Sequence, residues 1–495
     1  MEAPTIAASL DRRTCAFVGL VVALCRAVQW RSFPLYDDAF ITLRYAENFA
    51  AGLGLVYNPG AAWEPVLGTT TPLYALLLGL VGAVGAPLEG AALTINALCD
   101  GVTGACIALA LSSRPLAALA SVGVFCALPH VARISAGGME PPLFVALATS
   151  ASLAASRARL GAAGWLGSFA CTTRPEGVLL VAALALTSVR SWRDARRLFT
   201  PVIIVGASSA ALLTAIYGSP IAQSVRAKAG RHGLGIDFAR AASTLQQAFA
   251  PTKVLVALSW LTLWGVIRAG VRSPGLRAFG LFALAVPTAY IVSGAKTWGW
   301  YFYAPLTLAC IGLGVGLDAV AQWLERAPSG LAARVSSLWL RSRALLPLFA
   351  VGSLGAAVAL AVAYPDRVTP RVYEPMRASL RELDLRGRGL RVLASDIGAL
   401  GYFSRANVLD SEGLVWPQAR EYPDQPAALA AHLPEYFMIV VNRARMGAFV
   451  AHSVHERYRP IARFNASGAS ELKPEPQSLI DGWAQDYILY ARDDL

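Results

Sequence analysis

YDDAFITLRYAENFAAGLGLVYNPG, residues 36–60, opens on two adjacent aspartates, Asp37 and Asp38, just past an apolar run that ends near residue 31. The stretch predicts a helix over 39–51, because Ile41, Tyr45 and Phe49 share one face and Gly52 ends the pattern. Asp38 can cap that helix, and acids in a first turn suit the helix dipole. One cap accounts for one aspartate. It does not account for two, followed by Arg44 and Glu47. Adjacent helical residues point in different directions, so the pair can divide its work, one capping and one facing a cavity.

The surrounding chain says where that cavity would lie. Of 495 residues, 56% are hydrophobic and only 15% are charged, where a soluble domain carries about 25% charged residues. VIIVGASSAALLTAIYG (202–218), LFALAVPTAYIVSG (281–294) and FAVGSLGAAVALAVAY (349–364) are apolar runs of the kind that cross a bilayer. The chain reads as a multi-pass protein of the plasma (inner) membrane. Its net charge of +12 comes mostly from arginine, and the positive-inside rule accounts for it without a nucleic-acid partner. Seven cysteines lie in or beside apolar segments and form no CxxC pair, so they read as small buried side chains. The first apolar run follows Arg12 and Arg13 and lacks a small-residue cleavage site, which predicts an uncleaved helix.

Candidate spans fall near 14–31, 72–87, 90–111, 115–130, 141–156, 160–172, 176–189, 199–217, 252–268, 278–293, 303–322 and 344–364. Residues 1–364 form the membrane domain, with 31–71 as its first external loop. Beyond 364 the composition turns polar. RVLAS, YFMIVV and YILYA look like strands and PAALAAHL like a helix, so 365–495 predicts a small α/β domain. Arginine-rich stretches at 156–159, 190–197, 268–277 and 325–343 mark cytoplasmic loops. The alternate loops, and 365–495, then lie on the extracytoplasmic face. An inside start and an outside C-terminal domain require an odd number of crossings, so the twelve segments reduce to about eleven spans, or thirteen if two are merged.

Several ionisable residues fall on that outer face. Glu64 follows a tryptophan in AAWEPV. Glu140 starts a helix in GGMEPP, Arg174 and Glu176 sit in TTRPEG, and Lys296 precedes Trp300 and Tyr301 in SGAKTWGWYFYAP. Aromatic belts are ordinary at membrane interfaces, but ionisable groups at membrane level are costly and often functional. The cations Arg44, Arg174 and Lys296 could bind a phosphate, and a carboxylate could serve as base. Transfer of a sugar from a lipid phosphate needs such a set. The leaving phosphate is already acidic and needs charge stabilisation, whereas the acceptor hydroxyl needs a base. A glycosidase needs an acid and a second carboxylate instead. Proton-coupled transport would use the same residue types.

YDDAFITLRYAENFAAGLGLVYNPG followed by GTTTPLYALLLG resembles the first external loop and second helix of the GT-C superfamily of polyprenyl-phosphate-dependent glycosyltransferases. GGMEPPLF, TRPEGVLL, WYFYAPL and SDIGALGYFS…VLDSEGLV, which contains Asp396, are similar to later blocks of the branch with cell-wall arabinofuranosyltransferases. The resemblance runs from about residue 30 to about residue 415. It implies an inverting transferase with an extracytoplasmic site. It implies Asp37 as base, and Asp38 as a cap, an acceptor-orienting group or a ligand of a divalent cation. The donor would be a polyprenyl-phosphate sugar. The acceptor would be a glycan, glycolipid or protein. The usual arginine before the late tyrosines is replaced by Trp300, which leaves Lys296 to supply that cation.

Two other readings compete. A transporter or flippase of lipid-linked sugars would place polar groups at the midplane and show internal repeats. No repeat is visible, and Asp100 alone lies inside an apolar run. A membrane scaffold with a glycan-binding outer domain is the third reading.

Overall fold

A computed structural model describes residues 9–229, 238–249, 252–294, 297–325, 345–441, 443–466 and 486–495. The chain divides into two compact units. One comprises residues 1–33, 92–209 and 232–364, and the other 34–91, 210–231 and 365–495.

The first unit is helical. Each segment predicted to cross the membrane contains helix: for example Arg12–Gln29, Pro141–Ser156, Leu160–Thr173, Pro274–Ser293 and Leu345–Ala363. Proline opens many of them, where its missing N–H costs nothing. Among the described residues, five helices are long and apolar enough to cross a membrane, or six if the bent pair Pro115–Ala127 and Pro129–Ala136 is one span. Pro72–Ala83 and Gly177–Ser188 have 12 residues each, about 18 Å of helix against a hydrocarbon core of about 30 Å. Length and composition therefore support a polytopic membrane protein but do not yield eleven spans.

Helices Ser259–Arg272 and Tyr303–Glu325 approach so closely that a Cβ on Gly265 would strike the carbonyl of Gly312. Small residues at such crossings let helix backbones touch where no hydrophobic effect drives association. Deep in this unit Arg26 pairs with Asp100, Nε to Oδ2, at 2.6 Å. Tyr303 donates to both Asp100 oxygens at 2.7 and 2.8 Å. Arg26 also donates to Gln29 at 2.6 Å and to the Phe125 carbonyl at 2.9 Å. Asp100 is thus paired inside the bundle.

The second unit carries a five-stranded sheet among its described residues. The strands are β1 (Arg391–Ala394), β2 (Asn407–Asp410), β3 (Tyr436–Val440), β4 (Tyr458–Asn465) and β5 (Asp486–Arg492). Their order is β2-β1-β3-β5-β4. β1 pairs in parallel with β2 and β3, in register Val392 to Val408 and Val392 to Tyr436. β5 runs antiparallel to β3 and β4. Helices Gly398–Ser404 and Gln425–His432 supply the crossovers that parallel strands require. Leu393, Leu409, Phe437, Ile439, Ile488 and Tyr490 form part of the core.

The stretch around Asp37 belongs to this unit. Its helix spans Asp37–Ala50, two residues earlier than predicted, so both acids lie in the first turn. Arg44 and Asn48 are buried along with Ile41 and Tyr45. The predicted one-sided pattern fails because the helix packs on more than one side, against Pro72–Ala83 and against Gly398–Ser404. The NPG turn does more than reverse the chain. Asn58 donates to the Val408 carbonyl at 3.1 Å and accepts from the Val408 amide at 2.8 Å. Its amide thereby closes part of the outer edge of β2, an edge that proteins rarely leave open.

Candidate active site

Neither aspartate makes the expected cap. Tyr36 occupies the cap position of helix Asp37–Ala50, and no side chain bonds there. Asp37 instead caps a different helix. Its Oδ2 accepts from the Gly398 amide at 3.0 Å and its Oδ1 from the Ala399 amide at 2.9 Å. Those amides begin helix Gly398–Ser404, whose first N–H groups have no partner within the helix. A Cβ on Gly398 would collide with the Asp37 carbonyl, and a Cβ on Gly401 with the Tyr57 hydroxyl. The two glycines of DIGALG therefore allow a contact between segments some 360 residues apart.

Asp37 and Asp38 are half-buried residues. Burial in the fold pushes the Asp37 carboxyl up to about 8, and the charges of Asp396 and Asp38 add to the rise. The two amides oppose it by stabilising the carboxylate. Burial likewise pushes Asp396 up to about 6. Arg445, 3.5 Å from Asp396, pulls the other way. The phenol of Tyr487 on β5 is held well above its ordinary range by burial and by Asp37 and Asp396. The unit thus gathers three aspartates, with a tyrosine and an arginine beside them. Burial, with like-charged neighbours, raises one carboxyl into the range where it can exchange a proton near neutral pH.

The other predicted residues of this unit do structural work. Arg44 donates to the carbonyls of Tyr57 at 2.9 Å and Ala406 at 3.1 Å, and to that of Gly401. Its guanidinium lies 5.3 Å from the Tyr57 ring centre. Through these carbonyls Arg44 brackets the segments around Tyr57, Gly401 and Ala406. Glu64 accepts from the amides of Asn58 at 2.8 Å, Tyr57 at 3.3 Å and Val66 at 2.6 Å. It shapes the loop 57–66.

Glu140, Arg174, Glu176, Trp300 and Tyr301 lie in the first unit. Asn96 holds the loop before Glu140 by donating to the Ser135 and Met139 carbonyls, each at 2.9 Å. Arg174 bridges Glu140 at 2.5 Å and Glu176 at 2.8 Å, and its guanidinium sits 4.8 Å over the Tyr301 ring. Tyr290 donates to Glu176. Trp298 and Trp300 stack, with ring centres 5.7 Å apart. Arg174 is therefore neutralised by two carboxylates. Lys296 lies outside the described residues.

No group of three or more His, Cys, Asp or Glu residues among the described ones is arranged to hold a metal ion. Both Asp37 oxygens accept from backbone amides, and Asp396 faces Arg445.

Sequence reasoning missed Tyr487, Arg445 and Asp410. Asp410 ends β2 and accepts from the amides of Glu412 at 2.9 Å, Leu414, and Val415 at 3.0 Å. Its DSEG turn signal was present in the sequence. Tyr487 and Arg445 carry no local signal, since only the sheet brings them near Asp37 and Asp396.

Residues 375–488 match the family model of a domain of unknown function, DUF8728. No curated protein matches the chain. Among solved structures, ArnT from Cupriavidus metallidurans bound to undecaprenyl phosphate is similar, at 15% identity and TM-score 0.60, over 96% of this chain and 98% of that one. The archaeal oligosaccharyltransferase AglB from Archaeoglobus fulgidus, in complex with an inhibitory peptide and a dolichol-phosphate, is similar at 13% identity and TM-score 0.54, over 92% of this chain and 73% of that one. An Archaeoglobus fulgidus oligosaccharyltransferase complex with Zn and sulfate gives 13% identity and TM-score 0.55, over 86% and 68%. The chain shares its fold with these structures.

Proposed function

We propose that the protein is an inverting glycosyltransferase that moves a sugar from a polyprenyl-phosphate donor to an extracytoplasmic acceptor. The observation that carries the reading is the Asp37 carboxyl, anchored by two amides and raised by burial and by its aspartate neighbours. The fold shared with a protein bound to undecaprenyl phosphate supports the donor class.

In this reading Asp37 takes the proton of an acceptor hydroxyl. The oxygen attacks the anomeric carbon, and the bond from that carbon to the phosphate oxygen breaks. One displacement inverts the centre, and polyprenyl phosphate leaves with its electron pair. The leaving group needs a positive charge beside it and no acid. The resemblance leaves that charge to Lys296, since Trp300 stands where its arginine would be. Asp396 and Asp38 raise the basicity of Asp37. Arabinofuranose is the sugar to test first, because the motif blocks resemble that branch.

The test is reconstitution of the purified protein in liposomes with a labelled decaprenyl-phosphate arabinofuranose and with other polyprenyl-phosphate sugars. An arabinan or galactan fragment serves as acceptor. Label appearing in a new glycoside supports the reading. Label crossing the bilayer with no glycoside formed supports a flippase and overturns it.

A further inference from the structure

The parallel strands β1, β2 and β3 all end at one crevice. The chain leaves β1 for β2 on one side and then returns across β1 to β3 on the other. Open α/β sheets bind ligands at such a switch point, outside the carboxyl ends of the strands. Here the place holds a cavity of about 690 Å³, within the range of ligand sites. Ser395 follows β1, Ser411 and Glu412 follow β2, and Arg445 lies in the helix that follows β3. Arg420, Tyr422, Asp424 and Gln425 add to the polar part of the wall.

The chemistry of that wall is specific. Arg445 donates to the Ser395 hydroxyl at 2.5 Å and pairs with Glu412 at 3.4 Å and Asp396 at 3.5 Å. Tyr422 stacks on Trp416, ring centres 5.9 Å apart, and its hydroxyl bonds His432 at 2.7 Å. Two arginines, Arg420 and Arg445, are balanced by two acids, Glu412 and Asp424. A phosphate site would carry excess positive charge, and this crevice carries none. Paired guanidinium and carboxylate groups with serine hydroxyls and an aromatic face suit the vicinal hydroxyls and apolar faces of a neutral sugar.

We propose that this crevice binds the glycan acceptor of the transfer reaction, a neutral oligosaccharide, and delivers its reactive end toward Asp37 past the adjoining Asp396. Ser395 and Asp396 are consecutive, so the wall of the crevice runs directly into the aspartate cluster. Arg445 belongs to both, since it touches Ser395 in the crevice and Asp396 beside Asp37. The proposal rests on the transferase reading for its word "acceptor", but the binding it requires can be measured without catalysis.

The test uses the full chain in nanodiscs. Binding of neutral arabinan, galactan and mannan oligosaccharides is measured by calorimetry on the Asp37→Asn protein, alone and with Ala448→Trp, which fills the crevice, or Glu412→Gln, which removes one acid. Ala448 lines the cavity and is exposed. We expect one class of neutral oligosaccharide to bind, and each second substitution to weaken it about tenfold, as loss of a binding contact does. In the catalytically intact chain, the same two substitutions should raise the acceptor KM about tenfold and leave the donor KM unaltered. Binding that is lost in the crevice variants supports the site even if no transfer is found, in which case the transferase reading alone falls. Transfer with an unchanged acceptor KM in both variants overturns the crevice and leaves the transferase reading standing. Salt-sensitive binding of inorganic phosphate or of phosphatidylglycerol vesicles, with no binding of neutral sugar, also overturns it.

Discussion

Asp396→Asn should move the acidic limb of the activity profile toward lower pH. Asp37 must be ionised to accept a proton, and its carboxyl is pushed up to about 8, first by burial and next by the charge of Asp396. Two unit charges at the general range of about 4–6 Å, at an effective dielectric constant of about 20, interact by about 3–4 kcal/mol, or about two to three pH units. Arg445 lies 3.5 Å from Asp396 and offsets part of that charge, and half-buried groups are screened by water. A displacement of about one pH unit is therefore expected. The sign follows from the charge: removing a negative neighbour makes ionised Asp37 easier to form, so activity appears at lower pH. Stability follows the same linkage. Because the native state holds the Asp37 proton more tightly than the unfolded chain, its contribution is full below the usual carboxylate range and is lost as pH rises through about 8. That loss should shrink in the variant. The assay is the initial rate of sugar transfer under kcat/KM conditions from pH 6 to 10, for wild type and Asp396→Asn. The limb reports the coupled carboxyls as a set rather than one residue. A limb that stays put, or moves to higher pH, refutes the role given to Asp396.

Two further predictions concern the frame. Gly401→Ala places a Cβ against the Tyr57 hydroxyl and should lower stability by about 1–3 kcal/mol. Thermal unfolding in detergent reads the loss, and Tyr57→Phe should partly restore it. Arg26→Met leaves Asp100, which is 0% exposed, buried without its counter-ion, and should cost about 3–5 kcal/mol. The double change Arg26→Met with Asp100→Leu should recover most of that loss, measured by the same unfolding midpoint.

Much of the helical framework was legible because apolar composition and proline starts are local signals. RVLAS, YFMIVV and YILYA coincide with β1, β3 and β5 for the same reason: short apolar runs bounded by turns mark strands. The use of charged residues was not legible. Arg44 looked available for a phosphate, but its partners are carbonyls at 401 and 406, far along the chain. Glu64 looked unassigned, and it ties together a loop within nine residues of itself. Asp37 and Asp38 were recognisable as an unusual pair, yet the helix that Asp37 caps begins at residue 398. Local rules predict caps for the nearest helix, whereas the fold supplied a distant one. The grouping of 34–91 with 365–495 in one compact unit is of the same long-range kind.

The central claim is that Asp37 removes the acceptor proton. Its most direct test is the rate of glycoside formation by purified Asp37→Asn protein, with binding of the polyprenyl-phosphate donor measured on the same sample. Donor binding should stay near the wild-type value and transfer should fall by about 10²- to 10⁴-fold, the usual contribution of a general base. Transfer at the wild-type rate by a protein that binds donor normally would contradict it.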